Sequence, residues 1–164
     1  MPLKSPVLVI MGVSGTGKST IGKLLANKLN VPFFDGDDFH PKSNIEKMGA
    51  GIPLNDSDRE GWLKQLNQLA LDHELSGAVI ACSALKESYR EILKNQMNDQ
   101  MEFIFLQGSL ELIKKRMEER KGHFMPTKLL QSQFDTLEVP KDAITIFIDR
   151  TPEELVSDIL MKIQ

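Results

Sequence analysis

The chain has 164 residues, 41% of them hydrophobic and 26% charged, and its 20 basic and 23 acidic side chains give a formal net charge of −3. At this length a chain buries roughly 70% of the surface its unfolded form exposes, so one compact domain is expected to hold its core without disulfide or metal staples. No apolar run approaches a membrane span, the first thirty residues lack the ordered zones of a secretory leader, and the charge balance argues against a nucleic-acid partner.

In chain order, a first strand is predicted over the apolar run 7–11. It leads into Gly12-Val13-Ser14-Gly15-Thr16-Gly17-Lys18-Ser19, a G-x-x-x-x-G-K-[ST] phosphate-binding loop, and then a helix over 18–29. Strand, loop and helix in that order are the context the motif needs. Glycines let backbone N–H groups turn inward around phosphate oxygens, and the helix start adds partial positive charge. Gly12, Ser14, Gly15, Thr16, Gly17, Lys18 and Ser19 are therefore the candidate nucleotide contacts, with Thr20 beside the α-phosphate. Lys18 is expected to reach the β- and γ-phosphates, and Ser19 to ligate Mg²⁺.

A second strand is expected over 31–34, followed by Asp35-Gly36-Asp37-Asp38. Strand ends are where open α/β sheets place their ligands, and in an extended chain Asp35 and Asp37 share a face. Phosphoryl transfer to a hydroxyl needs a carboxylate to orient it or take its proton, which nominates Asp37 as the catalytic base, with Asp35 assisting the metal. His40, beside this turn, is a candidate substrate contact.

A long helix is expected over 56–75, with Trp62, Leu63, Leu66 and Leu69 as its core stripe. Arg59 near its start suits a carboxylate-bearing substrate, although spacing alone equally allows a salt bridge with Asp58 or Glu60. The third strand spans 78–82 and carries the lone Cys82, read as a reduced core thiol that fits a cytoplasmic protein. In a helix over 85–97, Lys86 and Arg90 share a face that reaches either an anion or solvent.

A fourth strand is predicted over 103–106 and a helix over 110–121, capped by Ser109. Arg116 and Arg120 lie four apart on it and lead to an excursion over 122–140 holding a short helix over 127–137, placed where a lid could sit. An arginine arriving on closure would stabilise the charge spread over transferring phosphate oxygens, the catalytic role expected of Arg120. The last strand spans 144–148, and Thr151-Pro152-Glu153-Glu154 opens a final helix over 152–163. His40, His73 and His123 show no zinc-site spacing. Alternating apolar strands and helices predict a three-layer α/β fold with a parallel sheet.

Beyond the loop, four segments resemble the small P-loop gluconokinases, relatives of shikimate and adenylate kinases. They are Phe34-Asp35-Gly36-Asp37-Asp38-Phe39-His40, the run Met48-Gly49-Ala50-Gly51-Ile52-Pro53-Leu54-Asn55-Asp56-Ser57-Asp58-Arg59, Cys82-Ser83-Ala84-Leu85-Lys86, and Gly122-His123-Phe124-Met125. The resemblance implies a five-stranded sheet of order 2-3-1-4-5, a lid over about 120–140, and transfer of the ATP γ-phosphate to the 6-hydroxyl of D-gluconate. It also implies a substrate-binding region over about 39–62, with Arg59 on the acid group, Arg116 against adenine and Arg120 near the phosphates. Lys86 joins Asp37, His40 and Arg59 as a substrate candidate, and members are often homodimers. Another acidic acceptor such as shikimate is the alternative within the class. A GTPase-like switch finds little support: Asp58-Arg59-Glu60-Gly61 matches D-x-x-G without a preceding strand, and Asn27-Lys28-Leu29-Asn30 lacks the aspartate that reads guanine.

Overall fold

The computed structural model describes residues 6–119 and 127–163. Five parallel strands, β1 (Val7–Met11), β2 (Phe33–Asp35), β3 (Ala78–Ala81), β4 (Met101–Gln107) and β5 (Ile144–Phe147), form a sheet of order β2-β3-β1-β4-β5. The helices are α1 (Lys18–Leu29), α2 (Lys42–Gly49), α3 (Asp56–Asp72), α4 (Glu87–Leu93), α5 (Leu110–Glu119), α6 (Thr127–Thr136) and α7 (Pro152–Lys162). The order and the three layers are those expected. Among the described residues, no helix is long and apolar enough to cross a membrane.

The period-two alternation of β1 divides the core. Val7, Val9 and Met11 pack with Trp62, Leu63, Leu66 and Ala70 of α3 and with Tyr89 and Leu93 of α4. Leu8 and Ile10 face the other way, toward Ile21 and Leu25 of α1, Ile113 of α5, and Leu155, Val156 and Ile159 of α7. Both faces of the central strand are therefore buried, which explains its unbroken apolar run. Cys82 is buried, as expected of a core thiol.

Several boundaries differ from the sequence expectation, each for a local reason. β2 starts at Phe33 and not at residue 31, because Asn30 takes a left-handed cap and the Val31 N–H turns back to Ala26 O. The helix expected over 85–97 forms only over Glu87–Leu93: Ala84 has φ +45° before it and Gln96 φ +64° after it. Helix α2 was not anticipated. Its apolar residues Ile45 and Met48 are exposed and its buried residue is Asn44, so hydrophobic periodicity carries no signal there. The caps at Ser109 and Thr151 form as read, the latter as a full capping box with Glu154.

Candidate active site

The phosphate-type loop leaves β1 at the centre of the sheet, where Gly12 lies so close to β4 that a Cβ would stand 2.8 Å from Leu106 O, at φ +145°. Gly15, at φ +85°, backs onto Ile113 and Met117 of α5, each 2.9 Å from where a Cβ would be. Only glycine lets the backbone take this path. Thr16 Oγ1 and Lys18 Nζ both donate to Val13 O, at 3.0 and 2.9 Å, which ties the loop across itself. α1 starts at Lys18 with no side chain capping its N-terminal N–H groups and no acidic residue in its first turn, an arrangement suited to an anion. Burial pulls the Lys18 ammonium below the ordinary lysine value, opposed first by Asp37.

Ser19, one residue on, donates its hydroxyl to Asp35 Oδ2 at 3.1 Å, so the two expected metal ligands do meet. They supply two hard oxygen donors. Among the described residues no group of three or more His, Cys, Asp or Glu side chains could cage a metal, so a cation here would rely on waters and phosphate oxygens, as Mg²⁺ characteristically does.

The chain after Asp35 is not extended. Gly36–Phe39 forms one 3-10 turn, and Asp35 Oδ1 caps it by accepting from the Asp37 N–H at 3.0 Å, so the period-two argument for a shared face does not apply. Asp37 instead projects into the cleft with its side chain 84% exposed. Although the side chain is largely open, partial desolvation first and the neighbouring Asp35 next shift its carboxyl above the usual range, while His40 and Lys18 oppose the rise. Trp62 holds the turn in place by donating its indole N–H to Gly36 O at 2.7 Å. It is a core residue with a second task.

His40 stacks on Trp62, with ring centroids 4.1 Å apart and planes at 17°, and its Nε2 lies 3.7 Å from Asp37 Oδ1. Burial lowers its pKa, Asp37 opposes that, and Arg59 adds to it. His73 is not a free surface group: it lies edge-on to Phe34 and bonds Leu69 O through Nδ1.

Near His40, on which Arg59 acts, Arg59 and Lys86 come together around Asp56 and Tyr89. Arg59 Nη1 donates to Leu54 O at 2.8 Å and to Tyr89 Oη at 3.2 Å, and Tyr89 donates to Asp56 Oδ1 at 2.5 Å. Lys86 Nζ reaches both Asp56 oxygens at 3.2 Å. The Tyr89 bond, followed by that from Lys86, holds the Asp56 carboxyl below the usual range. The simple salt bridge considered for Arg59 does not form, since Asp58 pairs with Lys47 and Glu60 with Lys64. Arg90 does not share the cleft with Lys86. It is buried and donates to Ala84 O and Glu138 O, bracing the β3–α4 connection against the end of α6.

On the other side of the loop a cavity of about 300 Å³ is lined by Gly15, Gly17, Thr20, Arg116, Arg150 and Pro152, among others. Arg116 is fixed there by a hydrogen bond to Ile148 O. Arg120, His123 and the rest of Gly122-His123-Phe124-Met125 lie outside the described residues.

The shikimate kinase family model matches residues 14–139. The chain is 45% identical to the probable gluconokinase of Xenopus tropicalis, over 93% of this chain and 90% of that protein. It is 43% identical to the thermoresistant gluconokinase of Escherichia coli K12, over 92% and 89% respectively. A crystal structure of a gluconokinase from Sinorhizobium meliloti 1021 superposes with a TM-score of 0.89 at 38% identity, covering 99% of this chain and 93% of that one. The chain belongs to the gluconokinase family.

As a gluconokinase-family phosphotransferase, it brings a phosphate loop, an acidic turn and a basic cluster close enough to act on one another, Lys18 on Asp37 and both Asp37 and Arg59 on His40. Four participants carry no sequence motif: Asn44, Tyr89, Gln133 and Arg150. Gln133 of α6 clasps the loop, accepting from the Ser14 N–H at 2.8 Å and donating to Ser14 Oγ at 3.1 Å. Such residues are recognisable only once tertiary contacts over tens of residues are known. Arg150 had one usable signal, its position just past the end of β5.

Proposed function

We propose that this chain transfers the γ-phosphoryl group of ATP to the 6-hydroxyl of D-gluconate, giving 6-phospho-D-gluconate and ADP. The observation that carries this reading is the succession of charged groups from the Lys18 loop through the Asp35–Asp37 turn and His40 to Arg59, each acting on the next, with Ser19 bonded to Asp35 and Lys86 joined to Arg59 around Asp56 and Tyr89, in a chain of the gluconokinase family.

In the mechanism, the loop amides of Gly12, Ser14, Gly15, Thr16, Gly17 and Lys18 cradle the phosphates, and Lys18 leaves Val13 O to follow the charge as it moves to the leaving oxygen. Thr20 supports the α-phosphate, and Arg116 packs against the adenine at the 300 Å³ cavity. Ser19 and Asp35 would hold Mg²⁺, which when bound neutralises phosphate charge. Asp37 orients the 6-hydroxyl and accepts its proton as the new O–P bond forms and the bond from Pγ to the β-phosphate bridging oxygen breaks, releasing ADP. Its open position and raised pKa suit a proton acceptor. Arg59 and Lys86 fix the substrate carboxylate, because a guanidinium fork still has donors free after its bonds to Leu54 and Tyr89. His40 completes the substrate side, and Arg120 clamps the phosphates from the lid over about 120–140.

The reading includes one domain, a substrate region over about 39–62, a cytoplasmic setting and a homodimer, the last checked by sedimentation of the purified chain. The reaction itself is tested by incubating the protein with ATP and D-gluconate and reading the product by phosphorus NMR. A phosphate ester coupled to the two C6 protons is expected; an ester at another carbon, or none, overturns the assignment.

A further inference from the structure

Asn44 is 1% exposed, a polar side chain sealed between α2, the turn and α3. Its Nδ2 lies 3.0 Å from Asp58 O and 3.2 Å from His40 Nδ1. A backbone carbonyl can only accept, so the atom facing it is the amide nitrogen; the flipped amide would set oxygen against oxygen. One of the two Nδ2 protons goes to Asp58 O and the other to His40. His40 Nδ1 is therefore the acceptor, and a neutral ring carries its proton on Nε2. That N–H points toward Asp37 Oδ1, 3.7 Å away. The opposite tautomer would put a nitrogen lone pair against a carboxylate.

The ring cannot easily reorient. Its side chain is 5% exposed, it lies on Trp62, and Trp62 is tied to Gly36 O at 2.7 Å. Asp37, in contrast, is open to solvent on a one-turn helix and accepts no side-chain hydrogen bond among the described residues, the His40 Nε2 at 3.7 Å lying just beyond that distance.

We propose that Asn44 and His40 form a positioning relay: Asn44 fixes the imidazole tautomer, and the His40 Nε2–H, 3.7 Å away, attracts one oxygen of Asp37 and closes to a hydrogen bond when substrate is in place, leaving the other oxygen to face the acceptor hydroxyl. This rests on the reading of Asp37 as the group that receives the hydroxyl proton, and it gives His40 a task beyond touching substrate. Neither residue need meet the transferred phosphate. The relay explains why the buried residue of α2 is an asparagine and not an apolar side chain, since only a donor can set the imidazole proton.

The direct test is a long-range proton–nitrogen correlation spectrum of the imidazole rings in the full chain, with the His40 signals identified by their loss in His40→Gln. Protonation at Nε2 is expected, and protonation at Nδ1 overturns the proposal. Kinetics give a second test. His40→Phe keeps a ring on Trp62 but removes the donor, and a loss of about 10² in kcat is expected, the scale of a misplaced catalytic group, with KM for ATP unchanged. His40→Gln, whose amide N–H can stand near the lost Nε2–H, is expected to recover part of that loss. Wild-type kcat in His40→Phe, or equal losses in both variants, would reduce His40 to packing. Asp37→Asn, assayed alongside, separates the two levels. If it turns over like wild type, the role given to Asp37 fails, whereas the tautomer result reports on Asn44 and His40 alone.

Discussion

Lys18 donates to the carbonyl of Val13, inside its own loop, so its charge is stored at the site and can be redirected without ordering a distant side chain. Lys18→Ala is expected to abolish turnover while leaving the thermal unfolding midpoint near wild type, because its hydrogen bond to Val13 O is local to the loop and its loss also relieves the desolvation of a buried ammonium; a variant with retained turnover would dismiss the ammonium from the chemistry. Asp37→Asn is expected to lower kcat by about 10²–10⁴, the range for loss of a general base, with nucleotide affinity intact by titration calorimetry. Cys82 is the opposite kind of residue. Burial pushes its thiol up to about 12, so at pH 8 it is neutral and shielded, and alkylating reagents are expected to modify it only after denaturant is added. Lys18, Ser19 and Asp35 could be picked out from spacing because their chemistry requires fixed offsets along a strand and loop. Asn44 and Tyr89 could not, since their partners Asp58 and Asp56 come from another helix and the sequence holds no record of the approach.

At the level of elements, helix ends were easier to read than helix interiors. Thr151 and Glu154 form both halves of a capping box, and Thr151→Ala is expected to destabilise the fold by about 1 kcal/mol in a denaturant titration, with activity retained. The start of α3 uses Asn55 and Asp58 in the same way, and Asp58 also takes Lys47 Nζ at 2.8 Å, which fastens α2 to α3. The Lys47 bond first, and then the Asn55 N–H, hold the Asp58 carboxyl below its ordinary value. A depressed folded-state pKa gives stability that is present above the unfolded value, about 3.9, and lost as pH falls through the folded one. The stability difference between wild type and Asp58→Asn is therefore expected at pH 6 and should shrink as the pH drops below about 4; a gap that did not change with pH would contradict the pairing. Helix α2 itself escaped the sequence reading because pattern methods look for buried apolar faces, and this helix is held by Asn44, Lys47 and the turn beside it.

Across the whole molecule, the sheet order places β1 in the middle, so the loop after it lies between the ends of β3 and β4 and beside the acidic turn after β2. Strand positions and layer count were legible because both faces of β1 are covered and its run of apolar residues has no polar break. What was not legible is how the basic residues pair, since arginines on a helix face look alike until a partner arrives: Arg90 became a buried brace and Arg59 a cleft residue. The core that holds these parts together is tested by Leu66→Ala, which removes a fully buried side chain between α3 and the sheet and is expected to lower unfolding free energy by about 2–5 kcal/mol. Substrate choice depends on the assembled cleft as a unit. The most direct measurement compares kcat/KM for D-gluconate, shikimate and a nucleoside monophosphate under the same ATP concentration. D-gluconate is expected to be turned over fastest by a wide margin, whereas faster turnover of either other acceptor, or ADP release that ignores all three, would contradict it.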